Sequence, residues 1–117
     1  MNMKHDMEKL ALFDFDEKRT MERFLNDKDL FWQCLEMFMD DKSFEGLMES
    51  AKAGKLDEAF DFAHSLKGVS ANLGLGSLNG KICELVEVLR KKTPDDRIVG
   101  MCEDVEKERE RLIKTLA

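Results

Sequence analysis

The sequence predicts an all-α protein, an up-down-up-down antiparallel four-helix bundle with a helical extension at its N-terminus. Three observations lead there. Apolar residues recur at helical spacing along nearly the whole chain, and no stretch shows the period of two that a half-buried strand needs. The breaks between apolar runs are a few residues long, which makes sequential helices antiparallel neighbours. At 117 residues the chain is long enough for one modest core and too short for two. The expected division is an N-terminal segment over residues 1–15, packed on a bundle that fills residues 16–117.

In order along the chain, Leu10, Phe13 and Phe15 mark the short segment that packs on the domain. A helix is expected near residues 16–26 with Met21, Phe24 and Leu25 inward. A long helix follows over residues 28–53, its stripe formed by Leu30, Cys34, Met37, Phe38, Phe44, Leu47, Met48 and Ala51. Gly54 ends it, as a residue tolerant of positive φ should. The next helix, residues 56–74, opens with Asp57 and Glu58 at the positive end of its dipole and closes at Gly74 and Gly76. Ser77 is the expected cap of a helix over residues 77–92 with Leu78, Ile82, Leu85, Val86 and Leu89 inward. Thr93-Pro94-Asp95-Asp96 reads as a start signal for a last helix over residues 94–115. Its stripe is Ile98, Cys102, Val105, Leu112 and Leu116, with Arg109 interrupting it.

Composition narrows the function. Nineteen basic against twenty-five acidic residues leave a net charge of −6, which disfavours nucleic-acid binding through basic surface. Residues 1–8 scatter charges where a signal peptide needs an apolar run, and no window approaches the ~20 apolar residues of a membrane span. A cytoplasmic protein with no membrane partner is the expectation. Cys34, Cys83 and Cys102 match no zinc spacing, are odd in number, and fall within apolar helical patterns. They are expected to be reduced packing residues, as the methionines Met37, Met39 and Met48 are expected to be core.

The chemistry concentrates in residues 63–74. His64, Lys67 and Gly68 stand at i, i+3 and i+4, so a helix puts them on one face. Ala59, Phe62, Ala63, Leu66, Val69, Ser70 and Leu73 form the inward arc, and His64 lies about 150° from its centre at 100° per residue. The imidazole therefore faces solvent, with Phe60 one turn back and the small residues Gly68 and Ala71 clearing its approach. A glycine inside a helix costs about 1 kcal/mol of propensity, and close approach by another molecule is a reason to spend it. Imidazole is an available nucleophile near neutral pH and can form a phosphohistidine on attack at an acyl phosphate. Lys67 can hold the phosphoryl oxygens as a point charge. Asp61, one turn before His64, is a candidate partner for the other ring nitrogen, and Phe60 offers a docking partner an apolar contact. His5, in a frayable terminus with no supporting residues, is uninformative.

The run His64-Ser65-Leu66-Lys67-Gly68-Val69-Ser70-Ala71-Asn72-Leu73-Gly74 resembles the histidine-containing phosphotransfer (HPt) family, whose signature is His-x-x-Lys-Gly followed by small residues and a Leu-Gly. The likeness in helix order covers about residues 16–115. The resemblance implies that His64 is phosphorylated, that Lys67 supports the phosphoryl group, and that Gly68 is the clearance position, with Phe60, Ala71 and Asn72 at the docking face. It also implies receiver domains of response regulators or hybrid kinases as partners, between whose aspartates the phosphoryl group moves. The receiver supplies the divalent metal, so no cofactor is expected here, and the domain is expected to be a monomeric carrier without kinase activity. Gly80, early in its helix, departs from the family pattern and is expected only to allow close packing. A methionine start and a terminal helix favour a free-standing protein over a piece of a hybrid kinase.

Three other classes bear on the same residues. A self-sufficient kinase needs a nucleotide-binding domain, and the chain has no Gly-rich phosphate loop. A metal-binding bundle needs inward Glu-x-x-His pairs on facing helices. A non-phosphorylated helical adaptor in protein–protein interaction is the serious alternative: it explains the bundle but not the His-Lys-Gly face.

Overall fold

The computed structural model describes residues 3–117. They form a 3-10 helix over Met7–Phe13 and six α-helices: α1 (Glu17–Arg23), α2 (Lys28–Met39), α3 (Ser43–Lys52), α4 (Leu56–Asn72), α5 (Gly76–Arg90) and α6 (Ile98–Leu116). Among the described residues there is no strand, only an isolated antiparallel bridge between Phe15 and Leu75. The helix α4 packs against α3 and α5, and α6 packs against α5 and α3. The core between them is built from Leu47, Ala59, Ala63, Leu66, Leu78, Ile82, Leu85, Val105, Leu112 and Leu116 among others. Among the described residues no helix is long and apolar enough to cross a membrane.

The termini of the helices follow local chemistry. Asp16 and Asp27 cap α1 and α2 by accepting from the Arg19 and Leu30 amides at 3.2 and 3.0 Å. Three helices end in the same paired hydrogen bonds, the residue after the cap turning left-handed. At α3 these run from Gly54 N–H to Ala51 O and Lys55 N–H to Ser50 O, and at α4 from Gly74 N–H to Ala71 O and Leu75 N–H to Ser70 O. At α1 they run from Leu25 N–H to Glu22 O and from Asn26 N–H to Met21 O. Leu25 takes the left-handed position at φ 55°, where the other two helices use glycine.

Several expectations are corrected. The single helix over residues 28–53 is two: the Asp40 amide closes α2 onto Met37 and Phe38 carbonyls, and the Asp41 carboxylate accepts from the Ser43 amide at 2.8 Å to open α3. Two successive aspartates can cap in both directions, which apolar spacing does not register. The inward face of α2 is also rotated. Phe31, Trp32, Leu35, Phe38 and Met39 are buried, while Leu30 is 44% and Met37 68% exposed and Cys34 half-buried. The adjacent aromatic pair outweighs the leucine and methionine stripe, because Phe31 engages Phe15 and Phe24 and Trp32 engages His5. Leu25, expected inward, is 87% exposed because the turn that ends α1 swings it out.

Helix α5 begins at Gly76 rather than at a Ser77 cap, and Ser77 instead donates from Oγ to Glu108 on α6. Helix α6 begins at Ile98, four residues after Pro94, because Asp95 folds back onto Arg97 through two side-chain bonds and the Arg97 amide. That contact holds the Asp95 carboxyl down at about 2, chiefly through the Arg97 hydrogen bonds. Arg109, which interrupts the α6 stripe, donates to Glu106 and to the Met39 carbonyl and lies over Phe44, so it ties α6 to α2 and α3. The thiol of buried Cys102 is pushed up to about 11, mainly by burial and then by Glu103.

The N-terminal segment is packed on the domain through Leu10 and Phe13, both fully buried, with Arg111 over the Phe13 ring at 4.1 Å. Residues 1 and 2 of that segment lie outside the described residues. His5, read as uninformative, is a structural residue: it stacks on Trp32 at 4.8 Å with 4° between the rings and bonds Glu36 at 3.0 Å.

Candidate functional site

Helix α4 carries the candidate residues, and its phase is the expected one. Ala59, Ala63, Leu66 and Ser70 are buried within the helix, and Leu73 is buried at its C-cap. Phe62 and Val69 are half-buried at the edges of that face. On the other side His64, Gly68, Ala71 and Asn72 are exposed, and Lys67 is half-buried beside them.

The His64 ring leans back one turn onto Phe60, their centroids 5.7 Å apart and their planes at 27°. Phe60 is itself half-buried and lies under the guanidinium of Arg90 from the end of α5, at 5.4 Å. Arg90 in turn pairs with Glu87 at 3.4 Å. Among the described residues no hydrogen bond reaches either His64 nitrogen, so the expected Asp61 contact is not made. Lys67 makes no ion pair among the described residues, so its ammonium is available to an anion.

A methyl placed on Gly68 would meet nothing within 4 Å. The glycine is therefore not required by packing inside the molecule. By contrast, a methyl on Gly46 would sit 2.5 Å from the Phe62 ring, so that glycine lets α3 and α4 approach. Gly80, expected to allow close packing, has open space beside it and serves no such contact.

Two features that sequence reasoning did not reach hold this stretch of α4 in place. Asn79 of α5 donates to the Lys67 carbonyl and to Ser70 Oγ, both at 3.0 Å, and Ser70 Oγ donates to the same carbonyl at 3.1 Å. The Arg23 guanidinium of α1 donates to the Ala71 and Asn72 carbonyls at 3.4 and 2.6 Å, satisfying the last turn of α4 and complementing its dipole. Only a polar residue within an otherwise apolar α5 face signals Asn79 in the sequence, and nothing local signals Arg23. Bordering α4, α2 shows Leu30, Cys34 and Met37 at helical spacing, with Leu25 at the end of α1. Val69 and Asn72 line the shallow grooves between this stripe and α4.

Among the described residues no group of three or more His, Cys, Asp or Glu side chains is placed to hold a metal ion. Comparison with protein-family models, with curated proteins and with solved structures finds no match to this chain.

Proposed function

We propose that this protein is a phosphoryl carrier that takes a phosphoryl group onto His64 from one receiver-domain aspartate and passes it to another. The observation that carries the reading is the exposed His64 with an unpaired Lys67 and an unobstructed Gly68 on the same face of α4. A neutral imidazole nitrogen attacks phosphorus, the acyl-phosphate bond to the donor carboxylate breaks, and the carboxylate leaves; the reverse reaction discharges the histidine. Lys67 offsets the charge of the phosphoryl oxygens as they approach. The sequence likeness to the HPt signature supports the same assignment. So does the cyclic packing of α3, α4, α5 and α6, which we read as a four-helix bundle with α1 and α2 added at one side.

The exposed stripe of Leu25, Leu30 and Met37 beside α4 suits a partner that binds across the groove and reaches His64. The same stripe also favours the adaptor alternative, in which binding needs no phosphorylation. A phosphotransfer assay with radiolabelled receiver domains separates them. Label moves to the wild-type protein, resists base, is lost in acid, and is absent from His64→Gln. Lys67→Ala slows transfer while leaving thermal stability nearly unchanged, since a lysine that makes no ion pair among the described residues contributes little charge stabilisation to folding. Label retained on His64→Gln, or transfer from no receiver of the source organism, refutes the carrier.

A further inference from the structure

Resting on that reading of His64, we propose that Phe60 is a positioning residue: it orients the imidazole by stacking and is itself held by Arg90. A histidine side chain on a helix leans toward the N-terminus, over the turn that carries residue i−4. Phe60 occupies that place, and the two rings stack with an offset, their centroids 5.7 Å apart and their planes at 27°. Both imidazole nitrogens lie in the ring plane, so an offset stack restrains the ring and leaves its nitrogen-bearing edge to the approaching phosphorus. Catalytic histidines are commonly oriented by a carboxylate or carbonyl on the second nitrogen. Among the described residues His64 has no such bond, and the stack is the contact that takes its place.

An exposed imidazole without a neighbour visits several rotamers, and those that turn its edge away do not react. The stack works only if Phe60 is itself fixed. Its inner edge packs on the core, and the Arg90 guanidinium lies over the ring at 5.4 Å, tethered by Glu87. Glu87, Arg90, Phe60 and His64 thus form one chain of contacts from α5 to the reactive nitrogen.

The test uses the full chain and phosphoramidate, a small donor that needs no docking surface. The imidazole nitrogen attacks phosphorus, the new P–N bond forms, the P–N bond of the donor breaks, and ammonia leaves. The variants are Phe60→Leu, Phe60→Tyr and Arg90→Gln. Aromatic pairing of this kind corresponds to a slowing of about threefold to tenfold in His64 phosphorylation for Phe60→Leu. The His64 ring protons should move downfield as the ring current disappears. Phe60→Tyr should restore both rate and resonances, and Arg90→Gln should fall between.

A Phe60→Leu protein that reacts at the wild-type rate overturns the proposal, and so does one that slows while the His64 resonances stay in place. Should Phe60→Leu fail to fold, the wild type decides: absence of cross-relaxation between the Phe60 and His64 ring protons overturns the proposal, and its presence supports it. A wild type that shows these dependences but exchanges phosphoryl groups with no receiver refutes the carrier and leaves the positioning role standing.

Discussion

Replacing Gly68 by alanine should make the protein more stable and the proposed carrier worse. The residue lies in the interior of a 17-residue helix, with an ordinary negative φ and open space where the methyl would go. No clash offsets the gain in helix propensity, so the substitution should stabilise the fold by about 1 kcal/mol. For a domain of this size that is a rise in Tm of about 4 °C. The same methyl stands where a partner must press against the α4 backbone to reach His64. A displacement of about 1 Å at a reacting centre costs up to about a hundredfold in rate, so transfer from a receiver should fall at least tenfold. Phosphorylation by phosphoramidate should not change, because so small a donor reaches His64 without pressing on the backbone at position 68. Thermal denaturation and the two transfer assays measure all three quantities. Gly100→Ala on α6, also open and exposed, is the control that stabilises without affecting transfer. Lower stability in Gly68→Ala refutes the packing argument, and wild-type transfer from a receiver refutes the clearance role.

Two further substitutions probe the frame around the site. Leu25→Gly should stabilise by about 1 kcal/mol in urea denaturation, because the left-handed cap strains a leucine and little burial is lost; if the exposed leucine serves docking, receiver transfer should weaken at the same time, and a loss of stability refutes the strain. Glu108, 5% exposed, accepts from Arg111 at 2.8 and 3.0 Å and from Ser77, and chiefly the Arg111 bond holds its carboxyl below the usual 4.5. A lowered folded value means the contribution is complete above pH 4.5 and is lost as pH falls through that lowered value. Glu108→Gln should therefore cost about 1 kcal/mol at pH 7, at the low end because Arg111 is half exposed, and its deficit should shrink in acid denaturation curves below pH 4.5; a deficit independent of pH refutes the ion-pair account.

The sequence by itself determined the helical class, the phase of α4 and the outward direction of His64, because one strong apolar arc with a histidine opposite it admits a single orientation. Its Lys67 and Gly68 neighbours follow from the same period of 3.6 residues. It did not determine the break at Asp40–Asp41, the rotation of α2 or the start of α6. Side chains there choose among several partners of similar local merit: Asp41 bonds the Ser43 amide and Asp95 folds onto Arg97, while contacts distant in sequence, His5 and Phe15, set the face of α2. Nor could spacing show that Arg90, twenty-six residues after His64 in the chain, closes over Phe60. Only the antiparallel packing of α5 on α4 brings that guanidinium to the ring behind the histidine. Local periodicity decides which way a side chain points, and tertiary packing decides what holds it there.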